Sequence, residues 1–188
     1  MICVDKGGIM DVLITRHGQT EWNALKKIQG KVDIELNETG IDQARITADS
    51  LINEEIDLII SSPLKRALQT AQIINENKNV PIIIDDRISE RNFGEYEGVE
   101  TTSFDFNSLW NYKNDIKYGS AESMKELFDR VYEFLDELKI KYKDKKVLLV
   151  THGGISIPMQ CYFNGIPDTE CLFPLCIRNC EVIKFENV

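Results

Sequence analysis

Val12-Leu13-Ile14-Thr15-Arg16-His17-Gly18 and Leu149-Val150-Thr151-His152-Gly153 lie far apart in the chain and share one pattern. Each is an apolar run, then threonine and histidine, then glycine, with Arg16 added in the first. Apolar runs without alternation suit strands of a sheet covered on both faces. Glycine lets the backbone turn sharply as it leaves the strand. The chain has two histidines, and both occupy this position.

Further runs extend the pattern outward. Ile56 to Ile60 and Pro81 to Ile84 predict two more strands, and Leu175 to Ile177 with Val182 to Phe185 predict a closing strand pair. Helical spacing separates them. Thr39-Gly40-Ile41-Asp42 resembles a capping box, with Asp in place of Glu or Gln, ahead of a face of Ile41, Ala44, Ala48, Leu51 and Ile52. Pro63 is placed in the first turn of a helix carrying Leu64, Ala67, Leu68, Ala71 and Ile74. A short helix is expected near Phe104 to Tyr112, an amphipathic one along Met124, Leu127, Val131, Phe134, Leu135 and Leu138, and another from Ile155 to Tyr162. Strands alternating with helices give an α/β fold: three layers, α/β/α, with a mainly parallel central sheet and helices on both faces. One domain over residues 10–188 is expected. Residues 1–9, broken by Gly7 and Gly8, read as a dispensable extension before Met10.

Composition narrows the function. The 188 residues carry 22 basic and 31 acidic side chains, a net charge of −9, which argues against nucleic acid as partner. It leaves room for an anionic substrate in a local basic pocket. No apolar run approaches the roughly 20 residues of a membrane span, and no signal-peptide pattern is seen. Five cysteines, an odd number, read as reduced thiols of a cytoplasmic protein. Cys171, Cys176 and Cys180 hint at a metal cluster, but their spacing is not that of zinc ligands and no histidine is spare, so no metal or other cofactor is expected.

In parallel sheets of this kind, ligands bind beyond the carboxyl ends of the strands. That rule gathers His17, His152, Arg16, Arg66 (early in the helix after Ser61-Ser62-Pro63) and Glu90 at one edge, near helix N-termini that favour anions. Singly, each has a plainer reading: a structural histidine, an Arg16–Glu21 surface pair, a solvated Arg66, a Glu90 paired with Arg87 or Arg91. The convergence carries the argument.

These residues fall in ordered motifs. Arg16-His17-Gly18-Gln19-Thr20-Glu21-Trp22-Asn23 resembles the signature of the histidine phosphatase superfamily, in its phosphoglycerate mutase-like branch. Ser61 to Ala71 resembles the second motif, Glu90 to Gly98 the third, Ala121-Glu122-Ser123 with Arg130 a weaker fourth, and Thr151-His152-Gly153-Gly154 the last. The resemblance implies a phosphoglycerate mutase-like fold and metal-independent phosphomonoester hydrolysis through a phosphohistidine. Neutral His17 would attack phosphorus, Arg16, Arg66 and His152 would hold the phosphoryl oxygens, and Glu90 would act as general acid and base. Asn23, Gly30 and Gly153 match phosphate- or substrate-binding positions. The segment from Gly98 to Glu122 is short for a mutase lid, so water should reach the intermediate and hydrolysis win. A cofactor-dependent mutase-type phosphotransferase and a non-catalytic phosphate-binding module are the alternatives. Phe93, Tyr96, Phe104, Phe106, Trp110 and Tyr112 would either pack this cap or line an apolar pocket, the packing role being favoured. The expected partner is a small phosphomonoester; such a metabolite predicts closure by residues 99–118, and a phosphoprotein substrate would predict an open, shallow site.

Overall fold

The computed structural model describes residues 9–103, 105–115 and 117–188. The proposed extension up to Gly8, with Cys3, and the Phe104 start of the short helix lie outside these residues. Five strands form one sheet: β1 (Asp11–Arg16), β2 (Leu58–Ser61), β3 (Ile82–Ile84), β4 (Lys146–Thr151) and β5 (Val182–Phe185), ordered β3-β2-β4-β1-β5. The first four run parallel, and β5 pairs antiparallel with β1; a single helical turn, α1 (Glu21–Ala24), follows β1.

Alternate strand residues serve two cores. Val12, Ile14, Leu58, Ile60, Val147 and Leu149 pack into the cluster shared with α4 (Met124–Lys141) and α5 (Gly153–Asn164). Leu13, Ile59, Leu148 and Val150 face the other way, towards α2 (Glu38–Ser50) and α3 (Lys65–Asn75). That division is why the strands are continuously apolar. Each fully buried Leu or Ile contributes about 1.5–3 kcal/mol of transfer free energy. Ala44, Ala48, Ala67 and Ala71 are the small buried residues of α2 and α3.

Local chemistry moves several boundaries. Helix α2 is capped by Asn37, whose side chain accepts from Gly40 N at 2.9 Å, and not by a box at Thr39. A Cβ on Gly40 would stand 2.0 Å from the Gln19 carbonyl oxygen, so the first turn lies directly on the loop after β1. The helix ends at Leu51, leaving Ile52 outside it and 57% exposed. Pro63 lies outside α3, which begins at Lys65 after Leu64. The predicted strand at Leu175 to Ile177 is replaced by a 3-10 turn over Phe173–Leu175, where Pro174 removes an N–H that a strand would use. The short helix near Tyr112 is likewise 3-10, over Phe106–Trp110. Among the described residues no helix is long and apolar enough to cross a membrane.

Candidate active site

The order β2-β4-β1 sets the site, because three carboxyl ends become neighbours. Arg16 pairs with Thr151 and Ser61 with Val150 in the ladder. The backbone N–H of His17 donates to Thr151 O, and that of Ser62 to Val150 O. The His17 and His152 rings therefore meet edge to face, 5.1 Å between centroids.

His17 is 1% exposed. Its Nδ1 lies 2.7 Å from the Gly18 carbonyl, which can only accept, so Nδ1 carries the proton and Nε2 keeps a lone pair. Nε2 faces the Arg66 Nε at 3.2 Å. Burial, then Arg66 and Arg16, hold the pKa well below that of a free histidine. A neutral, oriented imidazole results.

Arg66 is fully buried and donates to the Gly30 and Val32 carbonyls, each at 2.8 Å. Burial lowers its pKa to about 10, which leaves it charged at neutral pH. Arg16 donates to Ile177 O at 3.1 Å and approaches Cys176 Sγ at 3.9 Å; it does not serve as a surface partner for Glu21. Glu90 accepts from Arg91 N at 2.9 Å and Gly154 N at 3.2 Å, at the start of α5. Arg87 pairs instead with Asp85 and Glu137. Buried Arg91 donates to the Glu122 carbonyl and lies by the Trp110 and Phe93 rings. Glu122 in turn holds Arg130, so the fourth motif braces the loop that carries Glu90.

Ser62, quoted in a motif but given no role, orients His152. Its Oγ accepts from Leu64 N at 3.3 Å and lies 2.8 Å from His152 Nε2. With the hydroxyl hydrogen directed at Nε2, the ring proton sits on Nδ1. His152 Nδ1 and Arg16 Nε are buried without a hydrogen-bond partner among the described residues. An unmet buried donor costs about 1–3 kcal/mol. A group rich in acceptor oxygens, such as a phosphoryl group, would relieve both.

Arg16, His17, Asn23, Gly30, Arg66, Glu90 and Gly153 line one cavity of about 260 Å³. His152 is not among those lining residues; it packs edge to face against His17, with its Nδ1 unpartnered among the described residues. Asn23 forms a capping box with Thr20, which commits its Oδ1 and leaves its NH2 end for a ligand. A Cβ on Gly153 would lie 2.7 Å from Cys176 Sγ, and one on Gly154 2.4 Å from Glu90 Oε1. Two glycines are thus what lets α5 begin against Arg16 and Glu90. The opposite wall is Phe93, Phe106, Trp110 and Phe173, whose rings also contact one another. Packing and lining are both true of Phe93, Phe106 and Trp110. Lys26 and Lys27 also border the cavity. Among the described residues, no three His, Cys, Asp or Glu side chains gather to hold a metal ion, and the cysteine trio does not.

The buried histidines make a pH prediction. Burial also holds the His152 pKa well below that of a free histidine, with the nearby Arg66 next in effect. Below about pH 6.5 the unfolded chain takes up protons that the folded chain refuses. The stability from these rings is full above pH 6.5 and is lost as pH falls, by up to about 1.4 kcal/mol per pH unit for each ring. Urea midpoints should drop between pH 7 and 5.5, and the drop should shrink in a His17→Gln/His152→Gln double variant. An equal drop in that variant would contradict the assignment.

The family model for the histidine phosphatase superfamily (branch 1) matches residues 12–187. The chain is 43% identical over 173 residues to the uncharacterized phosphatase PhoE of Bacillus subtilis (strain 168), covering 90% of this chain and 87% of that protein. It is 32% identical over 164 residues to phosphoserine phosphatase 1 of Hydrogenobacter thermophilus, covering 84% and 78%. Among solved structures, Bacillus stearothermophilus YhfR superposes with a TM-score of 0.83 at 26% identity, over 94% of this chain and 91% of that one.

Proposed function

The chain belongs to the histidine phosphatase superfamily, branch 1, and is a phosphatase; from that premise we propose that it hydrolyses small phosphomonoesters without a metal, through a phosphoryl group carried on His17. The observation that carries this reading is the buried, neutral His17, whose Nε2 lone pair faces Arg66 in a cavity shared with Arg16 and Glu90.

The Nε2 lone pair attacks phosphorus in line as the ester P–O bond breaks. Glu90 acts as the general acid that gives a proton to the departing oxygen. Arg16, Arg66 and the His152 Nδ1–H hold the equatorial oxygens, where charge spreads in the transition state. Water then attacks phosphorus, Glu90 takes its proton, and the P–N bond breaks, returning the lone pair to Nε2. The guanidinium groups supply the positive charge that metal ions supply in other phosphoryl-transfer sites.

Thr101, Phe106 and Trp110 bring the expected cap segment to the cavity wall, which supports a small molecule over a protein substrate. The aromatic wall supports an apolar leaving group. Phosphoserine, in the name of one relative, falls within the broad class but offers that wall little. A cytoplasmic setting completes the reading: Cys161, Cys171, Cys176 and Cys180 are all free thiols.

Phosphate release from a panel of esters, with EDTA present, tests it. Wild type should release phosphate undiminished by EDTA, and benzyl phosphate should exceed ethyl phosphate, an ester of similar leaving-group basicity, in kcat/KM by roughly 3- to 10-fold. Release abolished by EDTA, or turnover of phosphoproteins only, would overturn it.

A further inference from the structure

Lys26 and Lys27 line the cavity yet have no part in the steps above. We propose that they form a second anion-recognising position at its mouth. The preferred esters then have a leaving group that bears an anionic group and no ammonium, beside any apolar body that the aromatic wall takes. The proposal rests on the phosphatase reading and specifies its substrate class.

Three observations carry it. First, the two lysines are unpaired. Lys31, Lys65, Lys113, Lys117, Lys125 and Lys145 each face a carboxylate, as suits a chain of net charge −9. Among the described residues Lys26 and Lys27 make no ion pair, and the Lys27 ammonium only approaches the Trp22 ring, 6.0 Å from its centroid. Second, their backbone is fixed. Thr101 N donates to Lys26 O, Ile28 N to Val99 O and Gly98 N to Ile28 O, which ties the segment to the start of the cap. Lys26 holds a left-handed conformation (φ 53°) that costs a non-glycine residue roughly 1–2 kcal/mol. Third, the described residues give the cavity no site for a cation. Glu90 is the one carboxylate among its lining residues, and it accepts from Arg91 N and Gly154 N. Glu97, below Gly30, is occupied by the backbone N–H groups of Lys31, Val32 and Phe93. A leaving-group ammonium would meet two like charges with no partner. A carboxylate would meet two free donors.

The test compares kcat/KM for phosphoglycolate, O-phosphoserine and ethyl phosphate in wild type, K26M/K27M and K26R/K27R. Intrinsic ester reactivities cancel when ratios are compared between enzymes. In K26M/K27M the phosphoglycolate-to-ethyl phosphate ratio should fall by roughly ten-fold, chiefly through KM. The phosphoglycolate-to-phosphoserine ratio should fall as well. In wild type the first ratio should also shrink at high salt, and K26R/K27R should keep both ratios near wild type, which separates charge from a folding defect. Ratios unchanged in K26M/K27M, with all esters turned over, would overturn the lysine site and leave the phosphatase reading standing. Hydrolysis of none of the three by wild type would remove both.

Discussion

His17→Ala is expected to lower kcat/KM for every phosphomonoester by roughly 10⁴-fold or more, because the covalent route disappears with the nucleophile. No other side chain of the cavity is placed to take over. The His152 Nε2 faces Ser62, and burial raises the Cys176 thiol above its ordinary pKa. The change also strips Arg66 Nε of its acceptor, so His17→Asn belongs beside it as a variant able to keep an oxygen near that position. Both should melt cooperatively. Rapid quench of wild type with a labelled ester should trap one acid-labile, base-stable phosphoryl group per chain, and neither variant should trap any. Activity within ten-fold of wild type in His17→Ala, or label that survives acid as a serine ester would, sinks His17 as nucleophile.

Strands β1, β2 and β4 were readable because each is buried on both faces. Residues such as Val12, Leu13 and Ile14 must all be apolar whichever side they meet. Helix α4 was equally plain, since its inward face is a run of large residues at helical spacing. Ends were less so. Asn37 and Thr39 are both good caps, and contacts with Gln19, distant in the chain, decide between them: Gly40 lies against it and Asn37 N donates to its carbonyl. The segment around Leu175 has strand composition, yet Pro174 and the packing of Phe173 on Trp110 make it a turn.

The site divides in the same way. Arg16, His17, Arg66, Glu90 and His152 follow or lie near strand ends, and a parallel sheet puts all such ends on one edge. Ser62 is different. Its contact with His152 exists only because β4 lies between β1 and β2, and no local pattern in the chain encodes that order. Phe173 and the lysine pair were missed for a related reason. They reach the cavity through loops whose course is set by single backbone hydrogen bonds, such as Leu172 N to Trp110 O and Thr101 N to Lys26 O. Tertiary packing, not periodicity, places them.

Glu90→Gln should separate esters by leaving group. An alkyl phosphate must expel a strongly basic alkoxide, so loss of the proton donor should cut its kcat/KM by about 10²- to 10⁴-fold. p-Nitrophenyl phosphate expels a stable anion, and its kcat/KM should fall by less than about ten-fold. The comparison has to be made in kcat/KM, which covers the steps through formation of phosphohistidine. The second half of the cycle needs Glu90 as base for either ester, so kcat should collapse for both. With p-nitrophenyl phosphate the variant should therefore give a burst of one p-nitrophenol per chain and then slow turnover. Substitution also costs fit: Glu90 accepts from two backbone N–H groups, and the amide can offer oxygen to only one of them. A general loss of fit would lower both esters alike and give no burst. Equal losses in kcat/KM without a burst would mean that Glu90 positions the start of α5 and moves no proton.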